Sequence, residues 1–315
     1  MAIPQLPERW SFTQRLKNTI IYIGLKFGLT LLMALPANVQ AISCRLLGRL
    51  AYRLALKDRR RAEDQLRHAY PNWDEVKVRK TIEAMFDHLG LSIAELLNLD
   101  ASVESCLERD DNSKAFDTLR EALAENRGAI VVTGHIGNWE LLAQSFSKAG
   151  FDITTVAKPT YDPRLTELLK TFRGRYGMST LWRGDARLVE DMFEVFTRRE
   201  AFGILIDQDT KVPGDFVPFF GRLAFTPTAA AMLHRKTGAP VLIGYHHRTE
   251  SGQELNLKRV ETPIDVENPN FDRDFTAQLT HDLEEAIKCH PEQWVWLHQR
   301  WKTQPSPPRQ DPKTR

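Results

Sequence analysis

Apolar and polar positions change rhythm along this chain, and the changes mark its elements. The run Ala129-Ile130-Val131-Val132 predicts a strand over 129–133 that is buried on both faces. The stretch 139–148 has helical spacing and stops at Gly150. Further strands are expected at 152–157, 180–182, 202–206, 240–245 and 255–260. Helices are expected at 163–176, 186–199, 227–236 and 271–289, and 294–301 suits either type. Upstream, Val76, Ile82, Met85, Phe86, Leu89, Ile93, Leu96 and Leu97 predict a helix over 75–98. Strands alternating with helices imply an α/β fold: a mixed, largely parallel central sheet flanked by helices. In such sheets the chemistry sits in loops leaving the C-terminal ends of strands.

The N-terminal pattern is different. Residues 19–36 read TIIYIGLKFGLTLLMALP, with Lys26 the sole charge. A spanning helix needs roughly 20 mostly apolar residues, so the run suits a membrane-associated helix that spans or lies in the interface. A buried core helix would have the same length. Arg45, Arg49, Arg53, Lys57 and Arg61 then recur every fourth residue, beside a row of Leu46, Leu50 and Leu54. On one continuous helix this is a cationic stripe next to an apolar one, suited to an anionic membrane surface or an acidic partner. The Lys/Arg load after the apolar run would place the following domain on the cytoplasmic side.

Composition narrows the classes. The 315 residues are 42% hydrophobic and 27% charged, ordinary for a globular protein, and a net charge of +2 gives no reason to expect nucleic acid. Cys44, Cys106 and Cys289 are odd in number and far apart, which fits neither a disulfide framework nor a zinc knuckle. The expected organisation is an anchor or interfacial helix over 1–40, a catalytic domain over 41–304 and a proline-rich, disordered tail over 305–315.

Two polar clusters follow expected strands: Gly134-His135-Ile136-Gly137-Asn138-Trp139-Glu140, and Asp207-Gln208-Asp209. His135 and Glu140 would point roughly 140° apart on a helix. The two glycines allow a tight turn instead, with Asn138 capping a helix that starts after it. Glu140 could then reach back to one imidazole nitrogen, leaving the other to take a proton from a hydroxyl. No G-x-S-x-G elbow and no nearby cysteine suggest an acyl-enzyme. A metal held by His135, Glu140 and one of His246, His247 or His298 lacks the spacing of paired helical ligands, so neither metal nor cofactor is expected.

GHIGNWE resembles the His-x4-acidic motif of glycerolipid and lipid A acyltransferases. Four further blocks are similar to the late acyltransferases of lipid A biosynthesis, the lauroyl/myristoyl transferase family. They are AKPTYDPRLTELLKTFRGRYG at 157–177, LIDQD at 205–209, VPFFGRLAFTPTAAAMLHRKTGAPV within 213–241, and EQWVWLHQRWK at 292–302. Glycerol-phosphate acyltransferases usually carry Asp where this chain has Glu140. The resemblance implies a glycerol-phosphate-acyltransferase-like fold in the bacterial inner membrane, facing the cytoplasm. It implies transfer of a fatty acyl group from acyl carrier protein to a hydroxyl of a lipid A precursor. It carries His135 over as general base, Glu140 as its partner, and Arg173 and Asp207 as polar substrate positions, with Arg175 a rival to Arg173. Phe216, Phe219, Phe220 and Phe225 are candidates for an acyl slot or for core. Transfer to a lysophospholipid or another envelope glycolipid stays open, as does a non-catalytic membrane adaptor working through the basic stripe.

Overall fold

The computed structural model describes residues 10–262 and 264–305. Most of the tail expected over 305–315 lies outside the described residues. Among the described residues, six α-helices precede the first strand: α1 (Phe12–Met33), α2 (Ala37–Leu54), α3 (Leu56–Ala69), α4 (Glu75–Leu97), α5 (Leu99–Leu107) and α6 (Ser113–Leu123). The alternating part follows as β1 (Ala129–Thr133), α7 (Trp139–Lys148), β2 (Ile153–Ala157), α8 (Pro163–Arg173), β3 (Ser179–Trp182), α9 (Leu188–Thr197) and β4 (Ala201–Leu205). A hairpin, β5 (Gly214–Phe219) and β6 (Arg222–Pro227), leads to α10 (Ala229–Thr237), β7 (Val241–Thr249), β8 (Gly252–Arg259) and α11 (Phe271–Cys289).

The central sheet has the order β3-β2-β4-β1-β7-β8. All neighbours are parallel except β7 and β8, which form an antiparallel edge. This is the mixed, largely parallel sheet flanked by helices that the alternation implies. Side chains alternate faces as a strand requires. Ile130, Val132, Phe202, Ile204, Val241 and Ile243 pack with Phe275, Leu279 and Leu283 of α11 on one side. Ala129, Ala201 and Leu242 pack with Leu141 and Phe146 of α7 and Leu119 of α6 on the other.

Among the described residues, α1 is the one helix long and apolar enough to cross a membrane. It has no buried residue. Its ties to the body include Thr19, 3.2 Å from Arg164 Nη1 of α8, and Tyr22, whose ring lies under that guanidinium. Exposed apolar side chains continue onto α2, where Leu46, Leu47, Leu50 and Leu54 face outward. A core-helix reading of this run therefore does not describe its packing.

The continuous basic stripe is a correction. The chain leaves the helical path at Ala55, where φ is −82° and ψ 54°, so α2 and α3 are separate helices. Arg45 and Arg49 of α2, each half-exposed, both bind Asp87 of α4 at 2.9 Å. Lys57 and Arg61 belong to α3 and face elsewhere. Of the phenylalanine cluster, Phe219 and Phe220 take the core alternative, buried against Trp294, Trp296 and Tyr70.

Candidate active site

The register of two adjacent parallel strands builds the site. In β1 and β4, Ala129 pairs with Ala201 and Thr133 with Leu205, a constant offset of 72 residues. Two residues further on, the same offset sets His135 opposite Asp207. The Asp207 carboxylate accepts the backbone N–H of His135 at 2.6 Å through Oδ2 and meets the ring Nδ1 at 2.9 Å through Oδ1. Gly134 makes room for this, since a Cβ there would lie 3.0 Å from Asp207 Oδ2.

Asp207 is 3% exposed and also accepts the indole N–H of Trp294 at 2.8 Å. Burial by itself would raise its carboxyl pKa. The charge of His135 and the hydrogen bonds from His135 and Trp294 outweigh burial and hold it at about 2. A carboxylate fixed in this way makes Nδ1 the protonated nitrogen and leaves Nε2 as the acceptor. The side-chain nitrogen of Gln208 lies 2.9 Å from that Nε2.

The segment after α11 straps the loop from the other side. Gly137 N–H donates to Gln293 O at 2.7 Å, and Val295 N–H to His135 O at 3.2 Å. His298 then lies 5.3 Å from His135 between ring centroids, and Trp139 lies edge-on at 4.7 Å. Burial and the neighbouring His135 push the His298 pKa down.

Asn138 caps α7, accepting Leu141 N–H at 3.1 Å, as the turn reading expects. Its own N–H donates to Nδ1 of the buried His246 at 2.9 Å. The chain can pass this close because residue 137 is glycine: φ is +58°, and a Cβ would sit 2.0 Å from His246 O. His246 Nε2 meets Gln253 Oε1 at 2.6 Å, Gln253 donates to Glu95 at 2.7 Å, and Asn138 Nδ2 donates to Glu95 at 2.8 Å. Arg248 binds the same Glu95 carboxylate, closing a buried ring around the turn. Burial chiefly, with the charge of Arg248, lowers the His246 pKa to about 4. His246 is thus spent on the backbone and is not free to join His135 and Glu140 on a metal.

Glu140 does not reach the imidazole, which corrects the expected pairing. It stands in the first turn of α7 and binds Arg173, at the end of α8, through both carboxylate oxygens. Its bond to Arg173 Nε is 3.0 Å, and both side chains are about nine-tenths buried, with 12% exposure each. Nη1 of Arg173 is buried without a hydrogen-bond partner among the described residues. Arg175, the rival, points away and binds Asp100 at the surface.

Two cavities meet at this pair. His135, Lys158, Arg183 and Gln208 line an open one of about 240 Å³. A narrow one of about 50 Å³ runs between α7 and the sheet, past Leu142, Ala143, Phe146, Val131 and Gly203. Trp139, Val156, Arg173 and Leu205 belong to both walls. An imidazole whose acceptor nitrogen meets the Gln208 amide and a guanidinium with an unused donor, beside a narrow apolar cleft, suit proton transfer and oxyanion binding.

A family model described as bacterial lipid A biosynthesis acyltransferase matches residues 9–303. The chain belongs to this family. It is 27% identical to the lipid A biosynthesis lauroyltransferase of Escherichia coli strain K12 over 82% of the chain and 84% of that protein. It is 26% identical to the palmitoleoyltransferase of the same organism over 78% of each. A phosphatidylinositol mannoside acyltransferase of Mycobacterium tuberculosis is 25% identical over 59% of this chain and 58% of its own length. This chain is accordingly an O-acyltransferase, and the adaptor reading falls away. Sequence reasoning about the acyltransferase missed Trp294 as a partner of Asp207. It also missed Gln208, and the Glu95–His246 ring behind the turn. A parallel register extended past Thr133 and Leu205 was the available signal for the His135–Asp207 pair.

Proposed function

We propose that the enzyme transfers a fatty acyl group from an acyl carrier protein thioester to a hydroxyl of a lipid A precursor. The observation that carries the mechanism is the Asp207–His135 pair, with Nδ1 tied down and Nε2 at an open cavity. Nε2 takes the proton of the acceptor hydroxyl, displacing the Gln208 amide. The hydroxyl oxygen attacks the thioester carbonyl without a covalent acyl-enzyme. Arg173, oriented by Glu140, donates its spare N–H to the tetrahedral oxyanion. The intermediate collapses, the C–S bond breaks, and the leaving thiolate takes from His135 the proton that came from the acceptor hydroxyl. In this reading Glu140 is a positioning residue and Asp207 replaces it as the partner of the base.

The acyl chain lies in the channel between α7 and the sheet. The E. coli relatives are named for different acyl groups and are nearly equally similar to this chain, so donor length follows from the channel and not from kinship. The helix α1 anchors the enzyme on the cytoplasmic face of the inner membrane, with the exposed leucines of α2 against lipid. The mycobacterial relative favours a second acceptor class, a phospholipid-linked glycan.

A transfer assay tests this directly. Carrier-protein thioesters of several lengths are offered with a tetra-acylated, Kdo-bearing lipid A precursor or with a lysophospholipid. Wild type should acylate the precursor, and His135→Ala should lose transfer by about 10²–10⁴-fold. Transfer to the lysophospholipid alone would keep the chemistry and move the acceptor. Undiminished activity in His135→Ala would end the general-base reading.

A further inference from the structure

A cationic groove of about 710 Å³ opens beside the site and takes no part in the chemistry above. Its walls include Lys57, Arg60 and Arg61 of α3, Arg222 at the start of β6, and Trp301 and Lys302. Asp64 is the acid in the wall, and Arg67 already holds it at 2.9 Å. Arg61 is met by Asp58 at 3.1 Å. Lys57, Arg60 and Lys302 have no carboxylate partner among the described residues, and Arg222 spends one donor on the Nδ1 of His68. Burial, then the charge of Arg222, lowers the His68 pKa, which keeps that imidazole a neutral acceptor. The uncompensated charge therefore faces the groove.

The groove is coupled to the active site by the chain. The segment that lays His298 over His135 continues directly into Gln299, Trp301 and Lys302. Thr303 then clamps Asp209, its N–H at 2.6 Å and its hydroxyl at 2.9 Å, one residue beyond Gln208. Trp301 packs 5.7 Å from Phe219, which packs 5.6 Å from Trp294. The rim is apolar: Leu54 is 72% exposed, and Leu56 and Leu223 are each 48% exposed. Positive charge set in a concavity with leucines at its lip fits an anionic headgroup presented at a lipid surface. Its volume falls in the range of small-ligand sites, roughly 300–1,000 Å³. A folded acidic protein would instead need a broad face of about 800 Å².

We propose that this groove binds a phosphate monoester carried on the headgroup of the lipid acceptor, with Lys57, Arg60, Arg222 and Lys302 as its contacts. The inference rests on the acceptor reading above. It gives the acceptor a second point of attachment, so that the reacting hydroxyl is delivered to His135 by a headgroup held outside the catalytic cavity.

The test uses the full chain and the double variant Arg60→Gln/Lys302→Gln, whose two side chains lie at the surface. With the phosphorylated lipid A precursor, KM should rise by at least about tenfold, as expected for lost charge-assisted contacts, while kcat holds within about twofold. With a phosphatase-treated precursor, wild type should already show the raised KM and the variant should add nothing. Equal KM for both acceptors in wild type overturns the proposal. A raised KM for the carrier thioester also overturns it, and assigns the groove to the donor. A second arm needs no turnover: cosedimentation with phosphatidylcholine vesicles containing phosphatidic acid, a monoester, or phosphatidylglycerol, a diester. Wild type should prefer phosphatidic acid, and the double variant should lose that preference, while Arg187→Gln, just before α9, keeps it. If wild type acylates neither precursor, the acceptor reading fails, and this arm alone decides the groove. Equal binding to the two lipids by wild type, or an unchanged preference in the variant, sinks it.

Discussion

The Asp207 carboxylate holds His135 twice, by the backbone N–H at 2.6 Å and by Nδ1 at 2.9 Å. One side chain therefore fixes both the turn and the tautomer. Asp207→Asn keeps the shape but removes the charge that stabilises an imidazolium. Steady-state assays should show kcat down by about 10²–10⁴-fold with KM little changed. A variant within a factor of a few of wild type would mean that His135 does not pass through a charged state.

Glu140 and Arg173 form a closed pair, and neither should be worth much without the other. Glu140→Gln and Arg173→Met should each lower kcat by about 10²-fold, the scale of one oxyanion donor. The double variant should be no slower than the worse single. Multiplying losses in this cycle would show that the two act separately.

Ala143 lines the narrow channel, so Ala143→Leu shortens it. The ratio of kcat/KM for long over short carrier thioesters should fall by about tenfold or more, since each methylene in such a pocket is worth about 1–3 kcal/mol. An unchanged ratio would move the acyl chain elsewhere.

Three histidines, His246 and His247 buried and His88 partly so, set an acid limit. Burial is the main cause that lowers His88 to about 4, His246 to about 4 and His247 to about 3. All three sit below the ordinary value of about 6.5, so the unfolded chain binds more protons between those limits. Their contribution to stability is whole above about pH 6.5 and is lost as pH falls through about 4. Asp207, held at about 2, adds its own loss only from about pH 4 downward. Urea midpoints taken from pH 7.5 to 4.5 should fall with a slope of up to about three protons. His246→Gln should remove about one proton of that slope.

Gly137→Ala should cost about 3 kcal/mol or more, because a Cβ at φ +58° would meet the His246 carbonyl. Thermal unfolding would show it, and a soluble, fully stable variant would contradict the geometry of the turn.

Sequence alone carried the alternating half of the molecule well. β1, α7 and α11 were legible because a short apolar run and a clean helical period leave little choice. The hairpin β5–β6 was not, because Pro218 and the aromatic cluster around it read as core rather than as paired strands. The stripe from Arg45 to Arg61 was read as continuous because no proline or glycine marks the break at Ala55. Glu140 was given to His135 because they are five residues apart. The carboxylate that meets its Nδ1 is 72 residues away, and only strand order brings it near. Local spacing cannot see across a parallel sheet.

The strap that carries Gln293, Trp294 and His298 has a consequence for how the enzyme is made. A nascent chain that has already delivered β1 and β4 holds His135 and Asp207, but not the indole that fixes the carboxylate or the carbonyl that fixes Gly137. The His135–Asp207 pair is therefore fully braced only once residue 294 is free of the ribosome.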